Sequence, residues 1–126
     1  MGSKIRSFTD LNAWREAHTL VLDVYEITRE FPQEELFILT SQMRRCVISI
    51  DSNIAEGFSR NSAKDKSQFY AIALGSVTEI QSQLLVARDL KYLSNEKFKK
   101  IADQTVVVSK LINGLKKSVL SRPQNT

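Results

Sequence analysis

Apolar residues recur every three or four positions through four long stretches of this chain. Nowhere do they alternate with period two for long enough to suggest a sheet. In the first stretch, residues 11–30, Leu11, Trp14, His18, Val21, Tyr25 and Thr28 fall on one helix face. Ala13, Ala17, Leu20, Val24 and Ile27 make a second stripe beside it. Thr9 or Asp10 offers a side-chain oxygen to cap the start, and Phe31-Pro32 ends the segment, because proline disfavours helical geometry in the residue before it. The second stretch, residues 33–56, has Leu36, Leu39, Met43, Val47, Ile50 and Ile54 on one face, with Gly57 expected as the C-terminal stop. The third, residues 63–90, is capped by Asn61 or Ser62 and turns Phe69, Ile72, Ala73, Ser76, Ile80, Gln83, Leu84 and Ala87 to one side. The fourth, residues 95–120, is capped by Ser94. Its stripe of Phe98, Ile101, Thr105, Val108, Ile112, Leu115 and Val119 alternates steps of three and four like a coiled-coil seam.

Helices of this length are roughly 30–40 Å long at about 1.5 Å per residue. Short links between long helices make consecutive helices antiparallel neighbours. The pattern therefore predicts an all-α fold, an up-down-up-down antiparallel four-helix bundle. Residues 8–120 form its single domain, with flexible termini at 1–7 and 121–126. The β-branched run Val106-Val107-Val108 sits inside the fourth helical pattern, where packing overrides propensity. Several helices carry apolar residues beyond one stripe: Phe37, Ile48 and Ala55 in the second, Tyr70, Leu74 and Val77 in the third. A bundle core needs about one stripe per helix, so the excess predicts self-association.

Composition narrows the classes. With 126 residues the chain can bury a core unaided, and its single cysteine, Cys46, permits no internal disulfide and fits a reducing, cytoplasmic setting. No apolar run approaches the ~20 residues of a membrane span, so no membrane partner is expected. The net charge of +4 is uneven: residues 1–60 hold 7 Lys/Arg against 9 Asp/Glu, residues 61–126 hold 11 against 5. A basic half favours an anionic partner, RNA or DNA, although a lysine-rich helix face is also an ordinary solvated surface.

Chemistry of other kinds is thin. His18 is the only histidine and is expected in the core or at its boundary; Cys46, with no histidine near it in sequence, is expected buried and inert. No Glu-x-x-His pair, zinc spacing, P-loop or dinucleotide fingerprint occurs. No catalytic, metal or cofactor residues are therefore assigned, and a non-enzyme is expected. The candidate nucleic-acid contacts are Arg44, the turn residues Arg60, Lys64 and Lys66, and Lys110, Lys116 and Lys117. Arg45 is expected to reach Glu79 as a half-buried structural pair, and Arg44 to be the more exposed of the two. Ser49, Asn53, Glu56 and Gly57 complete a polar motif late in the second helix, suited to capping helix ends or bridging subunits.

The runs Leu39-Thr40-Ser41-Gln42-Met43-Arg44-Arg45 and Ser49-Ile50-Asp51-Ser52-Asn53-Ile54-Ala55-Glu56-Gly57, followed by Phe69, Ala73, Gly75-Ser76 and Glu79, carry a resemblance. They resemble the four-helix-bundle family of 23S rRNA intervening-sequence proteins. The likeness extends from Phe8, Leu11 and Trp14 through Phe31-Pro32 to Leu90, Tyr92 and Leu93; Cys46 and Asp51 depart from the family's usual small apolar residue and nearby proline. The resemblance implies a bacterial homopentamer with a basic surface. Relatives include the accessory protein of diversity-generating retroelements, which binds nucleic acid and a reverse transcriptase. A nucleic-acid-binding module or an accessory subunit for a partner protein is what it implies here.

Overall fold

The structure is a computed structural model that describes residues 4–121. Four helices dominate it: α1 (Asn12–Thr28), α2 (Ser41–Ser59), α3 (Ala63–Asp89) and α4 (Asn95–Ser121). No strand occurs among the described residues. Residues 1–3 and 122–126 lie outside them, and with those most of the termini expected to be flexible. Arg6 and Ser7 are held where they stand, because both backbone N–H groups donate to the Asp10 carboxylate at 3.0 and 3.2 Å.

Cross-helix pairs fix the topology. Thr28 and His18 of α1 meet Arg44 and Asp51 of α2. Cys46 and Phe58 of α2 meet Ser76 and Lys66 of α3. Gln81 and Arg88 of α3 meet Thr105 and Phe98 of α4. Lys97 and Gln104 of α4 meet Glu30, just past α1, and Glu16. Each pair runs in opposite order along its two helices, as antiparallel neighbours do. One end of the bundle thus gathers the start of α1, the α2–α3 turn and the end of α4; the other gathers the α1–α2 and α3–α4 corners.

The core is one cluster running the length of the bundle, with Leu20, Val24, Met43, Val47, Ile50, Ile54, Ile80, Leu84, Val108 and Ile112 at 0% exposure. Burying each such side chain is worth about 1.5–3 kcal/mol. The α4 stripe faces inward as its spacing predicts: Ile101, Thr105, Val108, Ile112 and Val119 are buried, and Phe98 and Leu115 pack at its edge. In α1 the core is broader than the first stripe. Ala13, Ala17, Leu20, Val24 and Ile27 are buried together with Leu11, Val21 and Thr28 of the first stripe, while Trp14 and Tyr25 are half-buried and His18 is exposed. The small residues Ala13 and Ala17 let the helices approach closely, and the bulky aromatics border the groove toward α2.

Several helix ends differ from expectation. Neither Thr9 nor Asp10 caps α1. Ser7 and Asp10 instead form a capping box on a short 3-10 turn, Phe8–Asp10, and Leu11 begins α1 without a side-chain cap. Ser62 caps α3 by accepting from the Asp65 N–H at 3.1 Å, and Ser94 accepts from the Lys97 N–H at 3.2 Å. The second segment is not one continuous α-helix. A 3-10 turn, Gln33–Glu35, leads into a π-helical turn, Leu36–Thr40, before α2 begins. The extra residue in that turn rotates what precedes it by about 100° relative to α2, so Leu36 is half-exposed and Phe37 is 87% exposed. Gly57 does not stop α2, which continues to Ser59. Glycine is there because Tyr70 packs on it: a Cβ would lie 2.7 Å from the ring's Cε1.

Candidate functional site

The α2–α3 turn is built from charge and helix ends. The last carbonyls of α2 have no partner within the helix. Lys66 supplies one by reaching back from the first turn of α3, its Nζ donating to Phe58 O at 2.7 Å and to Gly57 O at 3.4 Å. Arg60 pairs with Glu56 at 3.0 Å and lies over the Phe69 ring at 4.6 Å. Lys64 stands exposed beside them. The C-terminal half of α4 reaches the same end, where Lys66 and Tyr70 line a cavity together with Leu115, Ser118 and Val119. That half of α4 brings Lys110, Lys116 and Lys117, and no acidic residue follows Asp103. Lys110 and Lys117 are seven residues apart, hence on one face, and both are exposed; Lys116 is half-buried. None of these three, nor Lys64, makes an ion pair among the described residues.

The structure therefore puts Arg60, Lys64, Lys66, Lys116 and Lys117 toward one end, with Lys110 near the middle of α4, and leaves Arg44 apart. Arg44 is turned toward α1, not toward solvent. Its Nε donates to Thr28 Oγ1 at 2.9 Å and its guanidinium lies over the Tyr25 ring at 4.7 Å. Arg45 is the exposed one, and it makes no ion pair with Glu79. Both line a groove of about 350 Å³ between α2 and α3, with Gln42, Cys46, Ser49 and Ser76. Within it the Ser49 and Ser76 hydroxyls are 2.9 Å apart, and Asn53 Nδ2 donates to Ser49 O at 2.7 Å. Ser49 and Asn53 thus tie α2 to itself and to α3, while Glu56 serves Arg60.

Cys46 donates to Ser76 O at 3.1 Å, and burial, reinforced by the Glu79 carboxylate, pushes its thiol up to about 12. A thiol so held is protonated at neutral pH and a poor nucleophile. His18 stacks on Trp14 with ring centroids 4.8 Å apart, and its Nδ1 lies 3.7 Å from Asp51 Oδ2. Burial pushes the Asp51 carboxyl up and the imidazole beside it pulls the other way. No group of three His, Cys, Asp or Glu among the described residues could hold a metal ion.

A second cavity, about 290 Å³, lies where the end of α1 meets the start of α4, lined by Asp23, Glu26, Arg29, Glu30, Lys97 and Lys100. Periodicity could not reveal it, because it depends on which helices close the ring. Burial pushes Asp23 up, with Lys100 opposing.

No helix among the described residues is long and apolar enough to cross a membrane. A search of curated proteins finds no match. Among solved structures, the chain is similar to a protein of unknown function from the S23 ribosomal protein family of Bacteroides thetaiotaomicron, a 1.70 Å crystal structure. The TM-score is 0.77 at 21% identity, over 83% of this chain and 95% of that one, which supports the bundle fold. The 23S rRNA-intervening sequence protein family matches residues 9–114, and the chain belongs to that family.

Proposed function

We propose that this protein is a non-enzymatic, cytoplasmic, homo-oligomeric module that binds nucleic acid through the basic end of its bundle. The observation that carries this reading is the excess of cations over carboxylates there. Residues 4–20, 47–75 and 107–121, the half containing the α2–α3 turn, hold nine Lys/Arg against five Asp/Glu; residues 21–46 and 76–106 hold eight against nine. Lysines without protein partners are the groups a polyphosphate backbone recruits, releasing counterions as it binds. The family's name, 23S rRNA-intervening sequence protein, refers to rRNA, which is in accord with an RNA ligand. Pentameric assembly is the expectation carried by the resemblance, and the apolar residues left outside the core support self-association. The thiol held protonated, and the one histidine exposed and stacked on Trp14, support a binding role over catalysis. Filter binding to structured RNA and duplex DNA across a salt series tests the reading. A steep fall of affinity with salt is expected, and an affinity indifferent to salt would overturn it.

A second reading, an accessory subunit for a partner protein, is favoured by the π turn. Phe37 and Ile38 there are 87% and 62% exposed at the end away from the α2–α3 turn. Capture of a partner that survives nuclease treatment and is lost on Phe37→Ser would select it.

A further inference from the structure

Two stripes with coiled-coil spacing lie outside the bundle core. On the outer side of α2, Ser41, Arg45, Ile48, Ser52 and Ala55 step alternately by four and three, and none of them is buried. On α3, Ile72, Ser76, Glu79, Val86 and Leu90 lie along one side, with Ile72, Glu79, Val86 and Leu90 exposed. Such spacing keeps one face toward a neighbouring helix over several turns. Arg45 lies seven residues from Ser52, and Glu79 seven from both Ile72 and Val86. Each stripe is otherwise small or apolar and carries one charge, and the two charges are opposite. Although both line the α2–α3 groove, Arg45 and Glu79 make no ion pair with each other.

We infer that these stripes form the contact between copies of this chain, α2 of one copy lying along α3 of the next, with Arg45 beside the neighbour's Glu79. The inference rests on the self-association proposed above and names its surface and its charge pair. A second copy is the occupant because the cation and the anion come from the same chain, one on each stripe, so copies are complementary to one another. Nucleic acid is not: a carboxylate at the centre of the α3 stripe repels phosphate. Serine and alanine between the larger residues allow close approach. Closing the contact desolvates the charge pair, which then sets register and excludes wrong partners more than it adds affinity.

Charge reversal of each residue, alone and mixed, tests the inference by mass in solution. Arg45→Glu and Glu79→Arg each place like charges across the contact, so each variant alone associates on the order of tenfold or more weakly. Both positions are exposed, and helical circular dichroism checks that each variant folds. Mixing the two variants restores opposite charges across contacts between unlike chains, and species that contain both variants form, larger than either variant gives alone. Larger species with both single variants at wild-type affinity overturn the inference while leaving self-association intact. Weakened variants that stay small on mixing also overturn it, because a pair made within each chain gives that outcome. A monomeric wild-type protein overturns the self-association reading itself and this inference with it.

Discussion

The two ends of the bundle carry nearly the same number of cations and differ in how many carboxylates accompany them. At the end formed by the α1–α2 and α3–α4 corners, Arg44 is bound to Thr28 and Tyr25, Lys97 to Glu30, Lys99 to Asp103, and Arg88 to Asp89 and Phe98, while Arg29, Arg45, Lys91 and Lys100 make no ion pair among the described residues. Acidic residues outnumber basic ones by one across that half. At the other end Arg15, Arg60 and Lys66 are engaged, while Lys64, Lys110, Lys116 and Lys117 have no ion-pair partner among the described residues. Cation count alone therefore does not locate a phosphate-binding surface; the supply of neighbouring carboxylates does. Sequence position also misleads, since Lys97, Lys99 and Lys100 belong to the same basic run as Lys110 and Lys117 but to the opposite end.

Three experiments challenge this contrast, the largest effect first. The α2–α3 groove between the ends is closed to thiol chemistry. With its pKa raised from 9.0 to about 12, the Cys46 thiolate at pH 8 is about a thousandfold rarer than in the unfolded chain, and alkylation of the native protein slows by that factor. The sign for stability follows. Folding favours the neutral thiol, so the Cys46 contribution is complete below pH 9 and is lost as the pH rises toward 12. Rapid alkylation of folded protein at pH 8 would show the groove to be open.

Packing at the basic end is the next test. Gly57→Ala forces a methyl against the buried Tyr70 ring and costs about 1–3 kcal/mol in urea unfolding. Gly114→Ala, in the same half, meets nothing within 4 Å and gains up to about 1 kcal/mol of helix propensity. Opposite signs from one substitution at two glycines test whether the lysines are mounted on a rigid platform. The smallest effect belongs to the other end. Lys97→Gln, which breaks an exposed pair with Glu30, changes stability by no more than about 0.5 kcal/mol. A larger loss would mean that those ion pairs hold the bundle together and do not merely neutralise its surface.

Much of this was legible in the chain. The regular stripe of α4 and the Ser62 and Ser94 caps could be read directly, because helical period and capping chemistry are local. What could not be read depends on neighbours. In α1 two adjacent stripes share the core, and which of their residues are buried depends on where α2 and α4 stand. Arg44 and Arg45 exchange their expected roles for the same reason. They are about 100° apart on α2, and the handedness of the bundle decides which one meets α1. The π turn at Leu36–Thr40 shifts the phase of a pattern that periodicity treats as continuous. Gly57 resembles a helix stop in sequence, and only the approach of Tyr70, thirteen residues on, explains it.

The contrast between the ends is tested most directly by the salt dependence of nucleic-acid binding in two triple variants. One carries Lys64→Gln, Lys110→Gln and Lys117→Gln at the basic end; the other carries Arg29→Gln, Lys99→Gln and Lys100→Gln at the mixed end. Each phosphate contact adds roughly 0.7–0.9 to the slope of log affinity against log salt. The account predicts a slope shallower by about 2–3 and markedly weaker binding for the first variant, with the wild-type slope retained by the second. Equal losses from the two ends would contradict it.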